Sequence, residues 1–196
     1  MKVECAAILA GGQSSRMGTE KALLPIDNQP LIARIAQILQ PIFAAVCVVT
    51  NQSEIAVAAE LPAISDRFEN RGPLGGIHAA LSHFQAPTFV VACDMPFLNS
   101  PFIEFLAENF EGDALVPLGE GGFEPLHAIY NSSCTPIFEN YLQSEGKMPP
   151  FRRVLAEIDA RFVPLEIARS FDPTLKCFTN WNTPEDTRET PKRPET

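Results

Sequence analysis

Residues 3–21 read Val3-Glu4-Cys5-Ala6-Ala7-Ile8-Leu9-Ala10-Gly11-Gly12-Gln13-Ser14-Ser15-Arg16-Met17-Gly18-Thr19-Glu20-Lys21. The first seven form a short apolar run that reads as a β-strand, closed by Gly11-Gly12. Paired glycines directly after a strand let the backbone approach a ligand closely and present N–H groups to it. Arg16 and Lys21 add two cations within the same loop. Backbone donors and side-chain cations together suit a polyphosphate. No Gly-Lys-Ser/Thr follows the glycines, so the loop is not a Walker A motif. The glycines at 11, 12 and 18 do not make a GxGxxG dinucleotide fingerprint either.

Outward from this loop the chain alternates strands and helices. Pro30 opens a helix with Leu31, Ile32, Ile35, Ile38 and Leu39 on one face, a place where proline's missing N–H is harmless. A second strand is expected over 44–50, a helix over 51–60 and a very short third strand over 64–66. Gly72-Pro73-Leu74-Gly75-Gly76 leads into a helix carrying Ile77, Ala80, Leu81 and Phe84. A fourth strand over 88–93 stops at Asp94-Met95-Pro96. A helix is expected from Pro101 to Phe110, strands over 114–118 and 126–130, and a further helix over about 150–160. Pro117 would confine its strand to a sheet edge or a bulge. Strands apolar on both faces, alternating with helices, indicate an α/β fold: a mainly parallel sheet with helices on both faces. Ligands in such folds bind beyond the carboxyl ends of the strands, which selects residues 10–21, Asn51 and Asp94. Residues 1–186 are expected to form one domain and 187–196 a disordered tail.

Composition narrows the class. Acidic residues outnumber basic ones by 24 to 15, giving a net charge of −9, against a nucleic-acid partner. Eight acidic residues and no Lys or Arg lie between Asn99 and Glu145, whereas the first 34 residues carry net +1. An anion site therefore belongs near the N-terminus. The five cysteines include no CxxC pair, which removes support for a zinc knuckle or a disulfide framework and fits a reducing cytoplasm. The longest apolar run, Ile42 to Val49, is too short to span a membrane. Proline is 18 of 196 residues, against a usual share of ~5%. The prolines fall at helix starts and loops rather than inside the strands at 3–9, 44–50 and 88–93.

The pattern LAGGxSSRMGxxK at residues 9–21 resembles the signature of nucleotidyltransferases of the molybdenum cofactor guanylyltransferase (MobA-type) family. Gly72-Pro73-Leu74-Gly75-Gly76-Ile77, Cys93-Asp94-Met95-Pro96-Phe97-Leu98, Pro125-Leu126-His127-Ala128-Ile129-Tyr130 and Asn180-Trp181-Asn182-Thr183-Pro184-Glu185 match the family in its order. The resemblance thus covers residues 9–185. It implies a Rossmann-like nucleotidyltransferase fold that binds Mg²⁺ and GTP, transfers GMP to the terminal phosphate of molybdopterin and releases pyrophosphate. By motif position it assigns GTP contacts to Leu9, Ala10, Gly11, Gly12, Lys21, Asn51, Asp66 and Asp94, with Asp94 also the magnesium ligand. Arg16, Lys21 and Asp94 become the catalytic set, and Asn180 and Asn182 fall on the molybdopterin side. Molybdenum-insertion proteins and apo-molybdoenzymes are the implied protein partners.

Phosphate attack on the α-phosphorus of GTP joins two anions, so positioning and charge neutralisation carry the catalysis. Lys21 and Arg16 would neutralise the phosphates, and Mg²⁺ suits one carboxylate plus phosphate oxygens. Gly75 and Gly76 either allow close approach to the base or ribose or merely start a helix. His127, in an apolar strand, is expected to be a hydrogen-bonded core histidine rather than a catalyst. His78 and His83 carry no evident chemistry. Arg152 and Arg153 are candidates for the molybdopterin phosphate or simply exposed helix cations. Two alternatives stand beside guanylyl transfer. Relatives that use CTP tend to carry LAAG, where this chain has Gly11. A nucleotide-binding carrier or regulator without turnover would not need Asp94.

Overall fold

β1 (Cys5–Leu9) buries Ala6 through Leu9 in succession. Its side chains alternate between two cores: Ala6 and Ile8 enter one, Ala7 and Leu9 the other. That is the period-2 geometry of a strand covered on both faces. In the computed structural model, which describes residues 2–11, 21–68 and 70–181, β1 is central. It pairs in parallel with β4 (Ala45–Val49) on one side and β6 (Thr88–Ala92) on the other. Between β1 and β4 lie a small antiparallel hairpin, β2 (Pro25–Ile26) and β3 (Gln29–Pro30), and then α1 (Leu31–Leu39). α2 (Ser53–Ala59), β5 (Ala63–Ile64) and α3 (Pro73–Phe84) follow β4.

The second half adds α4 (Ser100–Glu108), β7 (Ala114–Gly119), β8 (Gly122–Phe123) and β9 (His127–Tyr130). It ends with α5 (Thr135–Gln143), α6 (Phe151–Leu155), β10 (Ala160–Val163) and α7 (Leu165–Phe171). The sheet order is β10-β7-β9-β6-β1-β4-β5, with β8 paired to β7. β9 runs antiparallel to both β6 and β7, while β10 runs parallel to β7. One core holds α1, α2, α4 and α7 residues such as Leu31, Ile55, Phe102 and Ala168. The other holds α3, α5 and α6 residues such as Ile77, Phe138 and Val154. The expected two-faced, mainly parallel sheet is the observed one.

Three local expectations need correction. The helix expected over 150–160 ends at Leu155. The Asp113 side chain accepts the Asp159 N–H and the Asp159 carbonyl accepts the Asp113 N–H, which turns the chain into β10. Pro117 does not lie in an edge strand, because β7 sits between β10 and β9. Its pairing with β9 is confined to Ala114 and Leu115, and the Pro117 carbonyl accepts the Glu124 N–H. The proline nitrogen faces that same side, past the β9 ladder, so its missing donor breaks no strand pairing. Helix starts do use proline as expected: Pro101 sits in the first turn of α4, where the Asn99 side chain caps the Phe102 N–H at 2.9 Å.

His127 is the third. It is fully buried, but neither ring nitrogen has a hydrogen-bond partner among the described residues. Its ring lies among Phe89, Phe102 and Phe178, at centroid distances of 5.3, 5.8 and 5.3 Å. Burial pushes its pKa from 6.5 down to about 3. The unfolded chain therefore holds one more proton than the folded one between these values. Stability is complete above pH 6.5 and falls on acidification at up to about 1.4 kcal/mol per pH unit from this group. His127→Leu is expected to be neutral or stabilising at pH 7, since it removes unsatisfied polar atoms. Denaturant titrations at pH 7 and pH 5 should show a smaller acid loss in the variant than in the parent chain.

Candidate active site at the carboxyl end of the sheet

The strands deliver the expected residues to one end of the sheet. The Ala10 N–H donates to the Val49 carbonyl at 2.9 Å, and the Cys93 N–H donates to the Leu9 carbonyl at 3.0 Å. The exits of β1, β4 and β6 are thus tied together. Gly11 is exposed there, and among the described residues nothing lies within 4 Å of where its Cβ would be. No described neighbour demands a glycine at that point, and its backbone is open to close approach. Gly12 and Arg16 lie outside the described residues.

Lys21 opens a short 3₁₀ turn, Lys21–Leu23. Its Nζ lies 3.3 Å from Asp94 Oδ2, with the two side chains 17% and 23% exposed. Asp94, two residues past β6, is also held through its backbone, because its carbonyl accepts the Trp181 N–H at 2.8 Å. Trp181 is buried and meets Phe97 edge to face, at a centroid distance of 6.1 Å. The C-terminal motif therefore reaches the site through Trp181. Asn180 is exposed beside it, and Asn182 lies outside the described residues.

Asn51 and Asp66 form a reciprocal pair. Asn51 Nδ2 donates to the Asp66 carbonyl at 3.2 Å, and the Asp66 N–H donates to Asn51 Oδ1 at 3.0 Å. The Asp66 carboxylate accepts the Phe68 N–H at 2.8 Å. A Cβ on Gly75 would sit 2.6 Å from Asp66 Oδ2, and one on Gly76 would sit 3.1 Å from Leu9 Cδ2. Both glycines lie inside α3. They let the helix close onto Asp66 and onto β1, which accounts for them without a nucleotide contact.

Other candidates separate from this cluster. His78 is buried against Phe68, and desolvation lowers its pKa. Arg152 and Arg153 are exposed on α6, with Arg153 acting on the hydrogen-bonded Tyr141–Glu157 pair. Cys47, Cys134 and Cys177 are buried thiols whose pKa burial pushes up to about 12; they are core side chains. Glu124 was not singled out by sequence. It is a half-buried carboxylate just before Pro125, and desolvation raises its pKa to about 7. The available signal was an acid directly preceding a strand that enters from the ligand end of the sheet. No described helix is long and apolar enough to cross a membrane.

A mainly parallel sheet whose carboxyl end gathers an open glycine, a lysine and an aspartate is the architecture of a nucleotidyltransferase. Residues 6–161 match the family model described as MobA-like NTP transferase domain. A molybdenum cofactor guanylyltransferase of Syntrophotalea carbinolica is 33% identical over 190 residues, covering 95% of this chain and 90% of that protein. The crystal structure of molybdopterin-guanine dinucleotide biosynthesis protein A from Archaeoglobus fulgidus superposes with a TM-score of 0.81 at 31% identity, covering 94% of this chain and 95% of that one. The chain belongs to the MobA-like NTP transferase family and groups there with the molybdenum cofactor guanylyltransferases.

Proposed function

We propose that the chain transfers GMP from GTP to the terminal phosphate of molybdopterin. A phosphate oxygen of molybdopterin attacks the α-phosphorus, the bond from that phosphorus to the bridging oxygen breaks, and pyrophosphate leaves with the electron pair. The observation that carries this reading is the Lys21–Asp94 pair, 3.3 Å apart at the same end of the sheet as the open Gly11. A lysine and a carboxylate fixed at one strand end supply what the joining of two anions needs: a cation for the phosphates and an oxygen ligand for a metal.

Leu9, Ala10, Gly11 and Gly12 would line the nucleotide with backbone, and Lys21 and Arg16 would neutralise its phosphates and the leaving pyrophosphate. The Asn51–Asp66 pair, two strands away from Asp94, would take the nucleoside end. Asn180 and Asn182 would face the molybdopterin. Mg²⁺ fits Asp94: its carboxylate is partly exposed and already faces a cation, Lys21. Among the described residues no group of three or more acidic, histidine or cysteine side chains could hold a metal. The remaining oxygens would come from phosphates and water, as magnesium prefers. When bound, the ion would supply charge neutralisation at the α-phosphate. Molybdenum-insertion proteins and apo-molybdoenzymes would receive the dinucleotide product.

Pyrophosphate release with Mg²⁺, comparing GTP with CTP and molybdopterin present with absent, tests the reading. Release from GTP that requires molybdopterin is expected, with CTP much slower. Faster release from CTP would make the chain a cytidylyltransferase. Binding of GTP without release under any condition would make it a carrier.

A further inference from the structure

The carboxyl end of the sheet divides at Asp94. Leu9, Ala10 and Gly11 leave β1, Asn51 leaves β4 and Asp66 lies past β5, all to one side of β6. On the other side the Ala92 N–H donates to the Leu126 carbonyl, and the Glu124 N–H donates to the Pro117 carbonyl. Glu124 and Asp94 therefore each stand two residues beyond the last bond joining β6 to the β9 segment, at the same end. The C-terminal segment lies on this second half: Phe178 packs on His127, and the Trp181 backbone N–H bonds the Asp94 carbonyl. Among the described residues no hydrogen bond or ion pair holds the Glu124 side chain, and desolvation has pushed its pKa to about 7. A Cβ on Gly119 would overlap Glu124 Oε1, so the glycine leaves the carboxylate its place.

We propose that Glu124 binds the pterin of the acceptor, its two carboxylate oxygens taking the ring N–H and the adjacent amino N–H of the 2-amino-4-oxopyrimidine edge. A planar pair of donors beside one another matches a carboxylate bidentately, as a guanidinium does. Guanine of GTP presents the same edge. The position of Glu124, across Asp94 from the nucleotide residues and on the β9 side where the C-terminal segment packs, selects the pterin. This assignment rests on molybdopterin being the acceptor.

The test is steady-state pyrophosphate release by Glu124→Gln, titrating molybdopterin at saturating GTP and then GTP at saturating molybdopterin. The amide keeps the shape but loses the second acceptor and the charge. The KM for molybdopterin should rise about tenfold to a hundredfold, the loss expected for hydrogen bonds to a charged group, while the KM for GTP stays within about twofold. Gly119→Ala, which displaces the carboxylate without altering it, should show the same split, and the retained KM for GTP reports that both variants are folded. A rise in the KM for GTP instead, or unchanged constants for both substrates, overturns the assignment while leaving guanylyl transfer intact. A parent chain that ignores molybdopterin overturns the function, and the role of Glu124 with it.

Discussion

Asp94→Asn is expected to lose turnover by about a hundredfold to a thousandfold, the scale of removing one preorganised charge from a transition state that develops charge. Lys21→Ala should fall by a similar factor, and the double variant by little more than either, since the two groups act on the same phosphates. Stability should fall only modestly. The pair is 17% and 23% exposed, between ion pairs open to water, which contribute roughly 0–1 kcal/mol, and fully buried ones, where removing one partner costs about 3–5 kcal/mol. Single-turnover rates together with denaturant midpoints check both halves. A large loss of stability with little loss of rate would make the pair a structural brace.

Trp181→Ala should have the largest effect on folding. Trp181 is 2% exposed, and truncating a buried tryptophan costs about 3–5 kcal/mol, a large part of the roughly 5–15 kcal/mol that holds a domain folded. The loss should also reach the chemistry, because without the ring's packing against Phe97 the segment is less firmly held where its Trp181 backbone N–H meets the Asp94 carbonyl. Trp181→Phe, which retains an aromatic ring facing Phe97, should recover most of both. Urea unfolding of the two variants decides it: an alanine variant as stable as the parent would mean that the C-terminal segment is not docked on the site.

The residues that were legible in sequence share a physical reason. β1, β4 and β6 are buried on both faces and so read as continuous apolar runs. Gly11, Lys21 and Asp94 stand where such runs stop. Asn51 could be named as the residue past β4, but Asp66 only through the family resemblance, because its pairing with Asn51 runs through backbone groups across 15 positions. Elements near the far sheet edge were invisible. β10 exposes Arg161 and Phe162, α7 fully buries only Ala168, and α5 buries only Phe138 and Leu142 behind a Pro136 that resembles a breaker. The place of Glu124 depends on β9 returning antiparallel between β6 and β7, a non-local pairing that no window of residues contains. His127 was legible as core; its unpaired nitrogens were not, since partners depend on what the fold packs around it.

The most direct test of the central claim follows the phosphorus. With GTP labelled at the α-phosphate, Mg²⁺ and molybdopterin, the label should appear in a molybdopterin–guanine dinucleotide in step with pyrophosphate release, and Asp94→Asn should slow both together by about a hundredfold to a thousandfold. Label recovered as free GMP or GDP, with none joined to molybdopterin, would contradict the account.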